Sequence, residues 1–370
     1  MNEHAESEQE ISEKDFSSWT DFLPSKGFWL TPSLLIVNVG LFIVMAISGV
    51  GFMEGDSHKL LDWGGNLDRF TFGGEPWRLI SSMFLHSGIM HVFMNMYGLL
   101  YIGMILELTL GSGKMATGYF LAGIAGSLAS AWWNYRIVSI GASGAIFGLD
   151  GMFLVLLLLR KELFGEATKG LLVSIGIFIF YNLAYGLGKG GGIDNAAHIG
   201  GLLGGVIYGL FLSFSLKEGL AGSGKKLFFG LAVFVPAFLM ATVWFGITKP
   251  IGNFYKQDDQ FQANWNKADS SYNLIPTDEN DSVTLLRVQN ELFPIWEENV
   301  RISNEMQSGG KSALKFVKET YSLIAQKNIE KNNLLIELIE TDDSTVLTTF
   351  YEKNAEITRV VETLNDFFKN

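Results

Sequence analysis

Seven stretches of this 370-residue chain stay apolar for about 17 to 25 residues, the length that spans the hydrocarbon core of a bilayer. They lie near 30 to 50, 80 to 106, 115 to 133, 142 to 159, 169 to 187, 196 to 216 and 227 to 247. A backbone crossing lipid must satisfy its own N–H and C=O groups, and separate stretches of this length do so as helices. The sequence therefore predicts an all-α polytopic membrane protein with seven crossings. Whole-chain composition, 48% hydrophobic and 18% charged, understates this because the two ends differ from the middle.

Residues 1–26 hold seven Asp/Glu against two Lys, and residues 250–370 hold twenty against twelve Lys/Arg. The ends thus carry −5 and −8 of the formal −11, leaving +2 between them. The acidity belongs to solvated ends, and a nucleic-acid partner, which would want a basic face, is not expected. The chain has no cysteine, which excludes a thiol nucleophile, a Cys-zinc site and disulfides. Residues 1–26 lack the basic start of a cleavable signal peptide, so the first apolar stretch reads as an uncleaved anchor. The absence of an organelle-targeting pattern favours a bacterial plasma membrane.

Positive charge in short connections orients the bundle. With the N-terminus inside, the cytoplasmic connections carry Lys114, then Arg160, Lys161 and Lys169, then Lys217, Lys225 and Lys226, while the outer loops after spans three and five carry only Arg136 and Lys189. The loop 51–79, with Lys59, Arg69 and Arg78, narrows that margin. It also holds Trp63, Phe70, Phe72 and Trp77, rings suited to the headgroup boundary, where the loop would shield or gate a site. After Lys249-Pro250 the chain turns polar, and apolar residues recur at helical spacing in Leu285, Val288, Leu292 and Ile295 and in Leu334, Leu335, Leu338 and Ile339. The expected organisation is an acidic cytoplasmic tail (1–26), a six-helix core (27–216), a linker and seventh span (217–249) and a soluble helical domain (250–370). An odd number of crossings places that domain outside the cytoplasm.

Three of the five histidines, His86, His91 and His198, fall inside apolar stretches, and a fourth such stretch opens with Gly141-Ala142-Ser143-Gly144. An ionisable side chain at mid-membrane costs about 3 kcal/mol or more unless it faces a polar cavity, so these residues point to chemistry inside the membrane. Serine becomes a nucleophile when a neighbouring base takes its proton, and imidazole is the natural partner. With spans two, four and six running in one direction, His86, Ser143 and His198 lie at similar depth. Glycines at 144, 148 and 151 and at 201, 205 and 209 form small-residue stripes that permit close helix contact. His91 and Asn95, four apart, share one face and, with the backbone N–H of Ser143, offer donors to an oxyanion. The only acidic residue near His198 in sequence is Asp194, which favours a dyad over a triad. Taken singly, the serine reads as a packing residue, the histidines as haem ligands or proton relays, and the polar pair as glue between helices.

The conjunction resembles the rhomboid family of intramembrane serine proteases, over residues 30–216: Trp77-Arg78, His86, His91-Val-Phe-Met-Asn95, Gly141-Ala142-Ser143-Gly144 and Ala197-His198-Ile199-Gly200-Gly201, all in order. The resemblance implies a rhomboid-like six-helix core in which Ser143 attacks the scissile carbonyl and His198 is base and then acid. His91, Asn95 and the Ser143 backbone form the oxyanion hole. Trp77-Arg78 and Glu107 play structural parts, with His86, Gly141, Gly144, Phe147 and Gly201 in support. It implies no cofactor and no metal, and partners that are the lipid bilayer and transmembrane protein substrates. Phe147 stands where many members have tyrosine. Asp150 is unexpected within its helix and is predicted to be protonated or paired with a polar group. A catalytically inactive rhomboid-like binder of transmembrane clients is the alternative, and Asp150 alone favours a transporter.

Overall fold

A computed structural model of the protein describes residues 23–187, 193–273, 281–341 and 343–369. The acidic tail up to residue 22 and the outer-loop Lys189 lie outside the described residues. The chain divides into two compact units, Met1–Phe245 and Gly246–Asn370. Among the described residues the secondary structure is helical apart from isolated bridges such as Asn66–Ser139.

In the first unit a helix forms at each of the seven expected stretches. They are α1 (Leu30–Ile47), α5 (Ile89–Leu110), α6 (Ser112–Trp133), α7 (Ser143–Leu159), α8 (Thr168–Gly186), α9 (Asn195–Ser215) and the first part of α10 (Gly222–Asn273). Between α1 and α5 lie the short helices α2 (Ser57–Asp62), α3 (Asp68–Gly73) and α4 (Arg78–Ser81). Five helices, those starting at Leu30, Ile89, Gly165, Asn195 and Gly222, are long and apolar enough to cross a membrane. The helix α7 is shorter, at 17 residues, and 13 of these are buried, so it is wrapped by protein on nearly all sides. In α6 the apolar residues are diluted by Gly, Ala and Ser, the residue types that let helices approach closely.

Span two begins later than expected. A 3-10 turn, Ser82–Phe84, ends at the extended Leu85, and α5 starts only at Ile89, so His86 precedes the helix instead of lying in its first turns. The reason lies in the connections: Ile89 N–H donates to Phe52 C=O at 2.9 Å and Gly141 N–H to Ser82 C=O at 2.9 Å, which spend backbone groups on neighbouring segments and break the helix there.

Helices α7 and α9 meet backbone to backbone. A methyl group at Gly201 would run into the carbonyl of Gly144, and one at Gly205 into the carbonyl of Gly148. The start of α1 is held differently. Glu107, fully buried on α5, accepts from the N–H of Trp29 at 2.8 Å, Leu30 at 2.7 Å and Thr31 at 2.7 Å, and from the Ser112 hydroxyl at 2.5 Å. It supplies the acceptors that the first N–H groups of a helix lack, in a setting where water does not replace them.

In the second unit the expected boundary at Lys249-Pro250 falls four residues from the division at Phe245/Gly246, inside one continuous helix. A change in composition marks a change in surroundings, not the end of a helix. Four further helices follow, α11 (Asp281–Arg287), α12 (Phe293–Glu305), α13 (Ser312–Thr341) and α14 (Ser344–Lys369). Val288, Leu292 and Ile295 are buried as their spacing predicts. Phe261 stacks on Tyr321 at 4.1 Å between ring centroids, and the Tyr321 hydroxyl donates to Asp258 at 2.6 Å. Lys331 is buried with its ammonium 3.9 Å from the Tyr272 ring centroid. Burial pushes the Lys331 amine down to about 8.

Two outcomes follow. Glu107→Ala strips three N–H groups of their acceptor and should cost about 3 kcal/mol or more, lowering the melting temperature in detergent; an unshifted melting curve would show that α1 needs no such cap. Because the Lys331 proton binds more weakly in the folded chain, the unfolded state holds more protons between about pH 8 and 10.5, and stability rises across that window. Hydrogen-exchange protection of residues 281–341, corrected for intrinsic exchange, should show this rise, and Lys331→Met should remove it.

Candidate active site

Ser143 is the first residue of α7, where backbone N–H groups have no acceptor within the helix, and it is half-buried. One turn further, Phe147 lies flat on the imidazole of His198, with ring centroids 4.1 Å apart and planes 9° apart. Gly144, beside the serine, packs against Ala197 and Gly201, which flank His198, with the Ala197 carbonyl 3.4 Å from where a Gly144 Cβ would stand. The glycine seam thus brings Ser143, Phe147 and His198 onto one side of the α7–α9 contact.

The other wall comes from α5. A Cβ on Gly141 would sit 2.7 Å from His91 Nε2 and 3.6 Å from Asn95 Nδ2, so both polar groups face the strand of chain that leads into Ser143. Gly141 has φ +113°, a backbone conformation that disfavours any side chain. Ser87, absent from the sequence-derived set, fixes His91: its backbone N–H donates to Nδ1 at 3.4 Å and its hydroxyl lies 3.1 Å from the same nitrogen. A backbone N–H only donates, so Nδ1 accepts and the ring proton is assigned to Nε2, the nitrogen facing Gly141. The Asn95 amide gives one hydrogen to the His91 carbonyl at 3.0 Å and keeps a second. His86 is buried edge-on to His91, 5.0 Å between centroids, and so buttresses that ring from outside the helix.

The loop before α5 is built onto this frame. Arg78 Nη1 donates to the carbonyls of Leu61 at 2.6 Å and Gly65 at 2.9 Å, Nε donates to Glu75 at 2.7 Å, and the guanidinium lies 4.7 Å from the Trp77 ring centroid. Asn66, another residue not singled out in the sequence, exchanges backbone hydrogen bonds with Ser139 at 3.0 and 2.8 Å and reaches the Ser127 carbonyl at 2.7 Å. That bridge ties the loop to the segment entering Ser143. The Nδ1 of His198 has no hydrogen-bond partner among the described residues. Asp194 instead accepts from the Ala197 N–H at 3.0 Å, from Asn134 at 2.9 Å and from Ser130. The spacing Asp194-x-x-Ala197 is an N-cap signal visible in the sequence; its link to α6 is not. Asp150 is buried, and its Oδ2 finds no partner among the described residues; of the two expectations, a protonated group or one paired with a polar group, the pairing is not seen at that atom. Among the described residues no cluster of His, Asp or Glu has the geometry to hold a metal.

A family model for the Rhomboid domain matches residues 73–215. RHOMBOID-like protein 6, mitochondrial, of Arabidopsis thaliana is 34% identical over 220 residues, 52% of this chain and 71% of that protein. The Rhomboid protease GluP of Bacillus subtilis is 32% identical over 217 residues, 58% of this chain and 40% of GluP. The Inactive RHOMBOID-like protein 8 of Arabidopsis thaliana is 35% identical over 153 residues, 41% of this chain and 43% of that protein. The chain belongs to the rhomboid family and is an integral membrane protein. It spans about half the length of several of the curated relatives it matches.

Gly141→Ala should push His91 from its place and strain the backbone, at a cost of about 1–3 kcal/mol. Its proof is a drop in reaction of Ser143 with a fluorophosphonate probe, in protein whose far-ultraviolet helix signal is unchanged; undiminished labelling would show that His91 does not depend on Gly141.

Proposed function

We propose that this protein is an intramembrane serine endopeptidase that cleaves transmembrane-anchored proteins with a Ser143–His198 dyad. The observation that carries the reading is the direct contact of α7 and α9 beside both residues, with Phe147 stacked on the imidazole one turn below the serine. In the reaction His198 takes the Ser143 proton as Oγ bonds to the scissile carbonyl carbon. The carbonyl electron pair moves to oxygen, where the His91 Nε2–H, the Asn95 amide and the Ser143 N–H stand ready to donate. His198 then gives its proton to the leaving amine, and a water repeats the sequence on the acyl-enzyme. No step calls on a metal or a cofactor.

Substrate access is supported by α8, of whose apolar window only 11% is buried. Its hold on the bundle beside the site rests on Phe178 against Phe147, 6.0 Å between centroids, and on the Asn195 amide donating to the Leu183 carbonyl at 3.1 Å. A substrate span would reach Ser143 between this helix and its neighbours, with an extended segment at the scissile bond. The proposed topology has seven crossings, a cytoplasmic N-terminus and residues 250–370 as a soluble domain on the outer side. The proposed location is a bacterial plasma membrane, although of the relatives named above only GluP is bacterial and the other two are plant proteins, one of them mitochondrial.

The likeness to an inactive relative sustains a second reading, a binder of transmembrane clients without catalysis. A pure binder has no use for Ser143 and His198 together, and Ser143→Ala separates the two. In proteoliposomes holding a transmembrane substrate, Ser143→Ala and His198→Ala should each lower cleavage at least ~10³-fold with the fold intact. Wild-type protein that neither cleaves nor takes up fluorophosphonate at Ser143 would leave only the binder.

A further inference from the structure

Asp194 ties the start of α9 to the end of α6, and His198 hangs from that tie. The carboxylate lies immediately before α9, where Oδ1 accepts from the Ala197 N–H at 3.0 Å and caps the helix. Oδ1 also accepts from the Asn134 amide at 2.9 Å, and Oδ2 accepts from the Ser130 hydroxyl. The Asn134 amide meets the Ser130 oxygen as well, at 3.2 Å, so the two α6 partners brace each other. The carbonyl of Asp194 accepts from the His198 N–H at 3.1 Å. The backbone of His198 is therefore fixed by a residue that α6 holds from the side.

The same carboxylate is a charge one helical turn from the imidazole. Asp194 is the N-cap of α9, four residues before His198 in the chain, and its side chain bonds the first turn that carries that histidine. Among the described residues the neighbouring elements present these groups. His91 on α5 is near enough to act on the charge of His198, α7 presents the uncharged Phe147 and Ser143, and α6 presents the neutral Ser130 and Asn134. On α8, Tyr181 and Tyr185 are 65% and 57% exposed and turn away from the packed interior. Three donors, the Ala197 N–H, the Asn134 amide and the Ser130 hydroxyl, bond the Asp194 carboxylate.

We infer that Asp194 is a positioning residue for His198 and the electrostatic partner of its protonated form. It differs from the acid of a catalytic triad, which bonds the imidazole Nδ1–H. Here Asp194 acts through the helix start and through space, and Nδ1 is left without a partner among the described residues. The proton leaves Ser143 Oγ for the imidazole as the Oγ–carbon bond forms, and it later passes to the leaving amine. Asp194 takes no part in the proton transfer. The inference rests on the reading of Ser143 and His198 as nucleophile and base.

Asp194→Asn keeps size and helix-capping capacity while removing the charge, which makes it the discriminating variant. It is to be compared with the wild type and Asp194→Glu in full-length protein, reconstituted with one fluorogenic transmembrane substrate, with kcat and KM measured from pH 5 to 9. The expected result for Asp194→Asn is a kcat at least ~10-fold lower with KM within about twofold, and an acid limb of the kcat/KM profile displaced to lower pH by about one unit. Asp194→Glu, which restores the charge, should bring the acid limb back. A structural role alone would lower the amount of active enzyme and leave the limb in place. An Asp194→Asn profile that coincides with the wild type overturns the inference and leaves the dyad standing. A wild type that shows neither cleavage nor fluorophosphonate labelling overturns both. Should Asp194→Asn fail to fold, the pair Ser130→Ala with Asn134→Ala, which retains the carboxylate, decides: a kcat lowered ~10-fold at constant KM supports the anchoring, and an unchanged kcat overturns it.

Discussion

The approach of α7 to α9 without intervening side chains is the contact on which the rest of the site depends. Lipid tails are as apolar as leucine, so helices in a bilayer gain little by hiding hydrophobic surface from one another and associate through packing and polar contacts instead. Glycines opposite the carbonyls of Gly144 and Gly148 allow that packing to reach backbone distance. Only at that distance does an imidazole borne on α9 come to lie flat on Phe147, a turn from the serine that begins α7. Any side chain in the seam would part the two helices and with them Ser143 and His198.

A second constraint shapes the periphery. Helix ends placed in protein or lipid lack water to bond their orphan N–H and C=O groups, and this chain fills the role with buried or half-buried acidic and basic side chains. Glu107 receives the first N–H groups of α1, Asp194 receives one from α9, and Arg78 takes two loop carbonyls. Arg160, at the end of α7, donates to the carbonyl of Ser213 near the end of α9 at 2.8 Å. Each of these side chains joins elements far apart in sequence while it satisfies backbone groups, so cap and crosslink are one feature. Asp150 departs from that pattern, because it sits mid-helix and its Oδ2 has no partner among the described residues.

Rigidity is distributed accordingly. The helices α6, α7 and α9 form the packed centre, and α5 brings His91 and Asn95 to it under the control of Ser87 and Gly141. By contrast α8 leaves Val173, Ile177 and Phe180 exposed on a face fit for lipid. The closely packed centre thus stands beside a helix that is buried at Ile175 and open to lipid over much of its length.

The apolar stretches settled most of the architecture in advance, because backbone hydrogen bonding in a bilayer leaves the helix as the one solution for a run of that length. The candidate site residues stood out for a related reason: Ser143, His91, Asn95 and His198 are polar groups where polarity is costly, and cost makes them conspicuous. Ser87, Asn66 and the Ser130–Asn134–Asp194 tie were not legible, since serine, asparagine and aspartate near helix ends are commonplace and their partners lie up to 64 residues away. The true start of α5, and the passage of α10 through Pro250, were likewise decided only in the folded chain. Hydropathy and spacing report how a residue fares against its local surroundings. Which segment spends its hydrogen bonds on which neighbour is fixed only when the helices meet.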